Sequence, residues 1–166
     1  MSLSRWTPHV TASAVIEHDG RYLLVEEQTV DGLRLNNPSG HLEPGESPLD
    51  AVVREALEET ARPFEPTHVV GLYLSRFERP ARGVDVTYLR VAFAGRVGDA
   101  VTGRPLDTGI ERTLWMTLDE LRACPERHRS EMVLRCVEDH AAGLRYPLAL
   151  FSVVGALGPA GASVSR

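Results

Sequence analysis

Five charged residues in one short stretch have the types and the spacing to do chemistry together: Glu46, Arg54, Glu55, Glu58 and Glu59. Four are carboxylates, and clustered carboxylates repel one another unless a cation sits between them. A hard divalent ion such as Mg²⁺ or Mn²⁺ takes oxygen ligands and keeps several waters, so a group of glutamates on one surface can cradle it. Such an ion can act as a Lewis acid and acidify bound water.

The elements that must position these side chains can be read on either side of them. Residues 40–46 form a loop with Pro44-Gly45 at its turn. Ser47 is a candidate N-cap, Pro48 fits the first helical position, and Asp50 stands where a carboxylate reaches back to the helix start. The helix is expected to run to about Thr60, with Pro63 preventing its continuation. At 100° per residue, Leu49, Val53, Ala56, Leu57 and Thr60 share one stripe, and Glu55, Glu58 and Glu59 lie roughly opposite. The helix by itself is equally read as an ordinary solvated acidic face. Glu55 and Glu59 repel across one turn, and Arg54 can offset this by pairing with Asp50 or Glu58.

The rest of the chain reads as scaffold. His9–His18 alternates as a strand, Asp19-Gly20 is a hairpin signal, and residues 22–26 return. Residues 33–37 are a short extended piece. Val69–Leu74, Val84–Phe93 and Arg112–Met116 are expected strands. A short helix opens at Leu118 with Thr117 as its cap, and a longer one spans His128–Ala142. Leu144–Val154 is expected to be extended. Strands before and after the first helix, and a late second helix, predict one α/β domain: an α/β/α sandwich around a mixed sheet over 9–154. Residues 1–8 are a polar lead, and 155–166, mostly Gly, Ala and Ser, a flexible tail.

The totals narrow the function classes. At 166 residues the chain suits one domain with a sizeable core. Its net charge of −5 supplies no overall basic field for a nucleic-acid polymer. Cys124 and Cys136 form no close ligand pair and read as free thiols. No apolar run approaches a membrane span and no signal peptide is visible, so a cytoplasmic location is expected.

Gly40, Glu46, Arg54-Glu55, Ala56 and Glu58-Glu59 fit, without a gap, the signature G-x5-E-x7-R-E-U-x-E-E-x-G-U of the Nudix hydrolases, where U is a bulky aliphatic residue. The chain therefore resembles that family. It departs from the signature at Ala61, where glycine is usual, and at Arg62, where an aliphatic residue is usual. Further likeness at His9-Val10-Thr11, at residues 36–43 and at Arg145-Tyr146-Pro147-Leu148 is to the bacterial NudJ-type Nudix phosphatases, although Leu35 replaces a tryptophan frequent there.

The resemblance implies a Nudix fold and a small-molecule phosphoanhydride substrate, with Mg²⁺ or Mn²⁺ held by Glu55, Glu58, Glu59 and the Gly40 carbonyl. Arg54 would orient a glutamate, and Glu46 would fix the loop to the helix. The base is left between Glu55 and a later loop, where Asp107 and Glu111 are candidates for base or ligand, or are ordinary loop acids. His41 and Tyr146 are candidates for substrate contact. Arg76, Arg79, Arg82 and Arg90 are candidates for a distal phosphate, or solvated surface arginines. A NudJ-like enzyme would release phosphate from nucleoside di- and triphosphates or thiamine-type diphosphates. A MutT-like enzyme would release pyrophosphate, and a silent Nudix fold would only bind nucleotide. Either a monomer or a homodimer is compatible with the sequence.

Overall fold

The structure, a computed structural model, describes residues 6–157. The remainder of the expected lead and tail, 1–5 and 158–166, lies outside the described residues. The strands are β1 (His9–Val15), β2 (Glu17–His18), β3 (Arg21–Thr29), β4 (Gly32–Asn36), β5 (Ser39–His41), β6 (Phe64–Arg79), β7 (Val84–Val97) and β8 (Ile110–Met116). The helices are α1 (Pro48–Thr60), α2 (Leu118–Arg122) and α3 (Glu131–Ala141).

A four-stranded mixed sheet has the order β5-β1-β7-β6, with β1 parallel to β7 and the other pairs antiparallel. A second, antiparallel sheet centres on β3, which pairs with β2, β4 and β8. The hairpin into β3 turns at Asp19 and Gly20, both at positive φ (49° and 76°), as a tight two-residue turn requires.

Helices cover both faces of the mixed sheet. Ala51, Val52 and Ala56 of α1 pack with Ala12, Ala14, Val69, Val91 and Phe93. Val133, Cys136 and Val137 of α3 pack on the other face with Val15, Val70, Ala92 and Ala94. Alternate residues of each strand thus enter two different cores, which is why β1 is buried continuously from Thr11 to Val15. The expected α/β/α sandwich is the observed one. No helix among the described residues is long and apolar enough to cross a membrane.

Several boundaries differ from expectation. β3 continues to Thr29, and β6 extends well past Val69–Leu74 at both ends, absorbing Pro66 and Gly71 at register shifts. Gly40 and His41, expected in a loop, belong with Ser39 to β5, paired against β1. α3 starts at Glu131 because residues 125–127 make a separate single turn. Residues 144–154 are not a strand: Tyr146 makes one bridge to Val69, and Leu148–Leu150 form a helical turn.

Candidate active site

The start of α1 is fixed by a reciprocal cap. Ser47 Oγ accepts from the Asp50 N–H at 3.2 Å, and Asp50 Oδ2 accepts from the Ser47 N–H at 3.0 Å. Such a cap contributes about 1 kcal/mol and sets the phase of every later side chain. At the other end, Ala61 closes the helix in the left-handed region, φ 55°, and its N–H donates to the Leu57 carbonyl. This is the place where the signature has glycine, and the exit keeps the same turn without it.

The helix face corrects the expected wheel. Val53 is 38% exposed, whereas Glu55 and Glu59 are each only 8% exposed. The two glutamates therefore lie in the seam between α1 and the sheets rather than on a face opposite the apolar stripe. Glu58 sits nearer solvent. Close approach to β5 explains the seam: a Cβ at Gly40 would collide with the Glu55 carboxylate. Glycine leaves that carboxylate its place against the strand; a larger residue would push the carboxylate aside.

Arg54 ties the group together. It donates from Nε to Glu46 Oε1 at 2.5 Å and from Nη2 to Glu46 Oε2 at 2.9 Å, a bidentate pair. Its Nη1 donates to Glu55 Oε1 at 2.7 Å and to Glu58 Oε2 at 3.0 Å. Its Nη2 also reaches the His41 carbonyl at 3.1 Å, while Glu46 Oε2 accepts from the Glu43 N–H at 3.0 Å. Glu46 thus fastens the 41–46 loop to the helix. The Arg54 guanidinium, more than its other neighbours, holds Glu46 below the usual carboxylate range.

Burial works the other way on the two seam glutamates. It raises Glu55, against the opposing pull of Arg54, with Glu58 and Asp107 adding to the rise. It pushes Glu59 up to about 8, although the Ser39 N–H donates to Glu59 Oε2 at 2.9 Å. Glu55, Glu27 and Asp107 add further negative charge around Glu59. Glu27 is not singled out as a site residue by its sequence position. Its only signal there is the unusual pair Glu26-Glu27 at the end of an apolar strand. Glu26 is buried, and Arg112 first and Arg127 second hold its carboxyl low, so it is a structural ion pair rather than part of the cluster.

The later acids separate. Asp107 is joined to α1 through its N–H, which donates to the Glu58 carbonyl at 2.9 Å, and its charge acts on both seam glutamates. Glu111 is an extra, exposed residue at a bulge, between Ile110 opposite Glu27 and Arg112 opposite Glu26. The His41 ring lies 5.5 Å from His9 and 6.0 Å from Tyr88, and partial burial, then His9, lowers its proton affinity. Tyr146 is held at Val69 and lines a cleft of about 1060 Å³ between β6 and α3 with Tyr73, His128 and Asp139. None of the carboxylates of the cluster lines that cleft. Of the four arginines considered for a phosphate, Arg76 pairs with Asp85 and Glu78, and Arg79 with Asp31. Arg82 lies at the exposed β6–β7 turn, and Arg90 is buried.

Excess negative charge in a seam that solvent barely reaches is the electrostatic condition for binding a divalent cation. Among the described residues, however, no three acidic, imidazole or thiol groups converge as a ready ligand set. Arg54 Nη1 occupies Glu55 Oε1 and Glu58 Oε2, and the Ser39 N–H occupies Glu59 Oε2. The carboxylate oxygens fit such an ion by charge and chemistry, and Arg54 orients two of them.

The NUDIX domain family model matches residues 7–135, so this chain belongs to the Nudix hydrolase family. It is similar to Phosphatase NudJ of Escherichia coli strain K12, 32% identical over 142 residues covering 85% of this chain and 88% of that one. Among solved structures it is similar to a NUDIX hydrolase from Nitrosomonas europaea, with TM-score 0.81 and 46% identity over 89% of this chain and 98% of that one. A MutT NUDIX hydrolase from Burkholderia pseudomallei shares the fold at TM-score 0.64 and 21% identity, covering 81% and 98% of the two chains.

Proposed function

We propose that this Nudix hydrolase is a Mg²⁺- or Mn²⁺-dependent phosphatase that cleaves terminal phosphoanhydride bonds of nucleoside di- and triphosphates or of thiamine-type diphosphates. The observation that carries this reading is the crowding of Glu55 and Glu59 in a buried seam with Glu58, Glu27 and Asp107 at its edge. Such charge density is costly unless a cation offsets it, and phosphoanhydrides are bound as their metal complexes. Likeness to a phosphatase, NudJ, favours orthophosphate as the product.

When bound, the ion would neutralise phosphate oxygens and make water more acidic. Glu55, Glu58 and Glu59, with the Gly40 carbonyl, would hold it. Arg54 would keep Glu55 and Glu58 oriented and limit their mutual repulsion, and Glu46 would fix Arg54. Attack by water needs a group to take its proton. Glu55, whose burial raises its proton affinity, and Asp107 both stand at the cluster, whereas Glu111 is displaced to the bulge. The substrate is a small molecule, and a cytoplasmic monomer or homodimer is the setting we infer.

The test is a panel of nucleoside di- and triphosphates and thiamine diphosphate, incubated with Mg²⁺ and scored for product. Orthophosphate supports the proposal. Pyrophosphate from the triphosphates supports the MutT-like alternative. Nucleotide binding without turnover supports the silent-fold alternative.

A further inference from the structure

Arg90 is 5% exposed, yet no carboxylate pairs with it among the described residues. A buried guanidinium without a counter-ion is costly, and an apolar side chain of similar volume would fit the same layer at less cost. Its Nη2 donates to Asn36 Oδ1 at 3.3 Å and approaches Ser39 Oγ at 3.4 Å; Nε and Nη1 find no nitrogen or oxygen partner among the described residues, and the Cys136 thiol of α3 lies beside the guanidinium.

The two contacted residues share a property. The Ser39 N–H donates to Glu59 Oε2 at 2.9 Å, and Asn36 Nδ2 donates to Glu27 Oε1 at 3.1 Å. Arg90 therefore stands one residue behind two of the carboxylates that crowd the seam, on strand β7, and holds the groups that hold them. Arg54 and Arg90 divide the work. Arg54 takes carboxylate oxygens directly, whereas Arg90 reaches Glu59 only through Ser39 and Glu27 only through Asn36, with Arg129 also 3.6 Å from Glu27 Oε1.

The geometry points to Arg90 as a positioning residue that, through Ser39 and Asn36, sets Glu59 and Glu27 for divalent-cation binding. This rests on the reading of the seam as a metal cradle. Partners in the layer around metal ligands govern affinity nearly as strongly as the ligands themselves.

Mn²⁺ titration of the metal-free full-length protein, followed by electron paramagnetic resonance, reads the cradle without turnover. Arg90→Gln is expected to weaken Mn²⁺ binding about 10- to 100-fold. Arg90→Lys, which keeps the charge but not the fork, is expected to recover part of the loss. Tyr73→Phe serves as a packing control: it removes the 2.9 Å bond to Asp139 beside Arg90 without touching Ser39 or Asn36. It is expected to lower the melting temperature and leave Mn²⁺ affinity unchanged. If Arg90→Gln does not fold, Ser39→Ala replaces it, because it breaks the Arg90 contact and keeps the N–H on Glu59; weaker Mn²⁺ binding is again expected. Wild-type affinity in Arg90→Gln, or in Ser39→Ala where that variant stands in, overturns the inference, as does an equal loss in Tyr73→Phe. No Mn²⁺ binding by the wild-type protein overturns the cradle reading and this inference with it.

Discussion

Gly40 and Glu55 occupy the same space as nearly as two residues can: a Cβ on Gly40 would lie 2.6 Å from the farther carboxylate oxygen, Oε2, and closer still to the rest of the group. A methyl group at Gly40 would have to displace the Glu55 carboxylate from its place beside β5. Gly40→Ala is expected to lower kcat/KM by about 100-fold, because displacing a ligand or base by about 1 Å carries a cost of that order. Circular dichroism should retain the wild-type spectrum while steady-state kinetics record the loss. Unchanged kinetics would mean that Glu55 has no part in the reaction.

Glu59 gives the metal-free protein a characteristic pH dependence. The folded state keeps the Glu59 proton until about pH 8, whereas the unfolded chain releases it near the ordinary 4.5. Its contribution is fully present below about pH 4.5 and is lost as pH rises toward 8. Melting temperatures in EDTA should accordingly fall across this window in the wild type, and the slope should be shallower in Glu59→Gln. Added Mg²⁺ should stabilise the wild type more at pH 8 than at pH 5.5, since the ion binds the ionised form. Equal slopes in wild type and variant would remove Glu59 from this account.

Arg54 carries the counter-charge for Glu46, Glu55 and Glu58. Arg54→Ala would leave three acids facing one another and detach the 41–46 loop. A loss of about 2–3 kcal/mol in urea unfolding is expected. Mg²⁺ should restore more stability to Arg54→Ala than it adds to the wild type, because the ion replaces part of the missing positive charge. A Mg²⁺ response no greater than in the wild type would sink this view of Arg54.

Ala61 holds a left-handed conformation, φ 55°, that glycine adopts without strain. Ala61→Gly is expected to stabilise the protein by about 0.5–1 kcal/mol without altering turnover. Thermal unfolding tests the first part and initial rates the second.

Much of the candidate site was legible because it is local in sequence. The loop, the cap at Ser47 and the glutamate spacing lie within 23 consecutive positions, 40–62, and the structure keeps their helical phase. Their depth was not legible. A helical wheel assumes a single apolar partner, whereas α1 packs over the mixed sheet while β5 reaches its acidic flank, and this takes Glu55 and Glu59 out of solvent. Glu27 was invisible because its role depends on β3 passing beside Asn36, a relation between strands that no local pattern contains. The length of β6 was hidden on its N-terminal side by Pro66, which is tolerated at a register shift. Leu144–Val154 looked like a strand by composition, but only Tyr146 finds a free strand partner.

The segment between β7 and β8 is secured to the helix at two points, with the Val101 N–H on the Ala61 carbonyl at 2.8 Å and the Asp107 N–H on the Glu58 carbonyl at 2.9 Å. Between these two fastenings only residues 102–106 arch outward. Such an arch can lengthen, shorten or change its chemistry while both of its feet stay in register with the helix. Five positions of the chain are therefore free to vary while Asp107 stays fastened to α1.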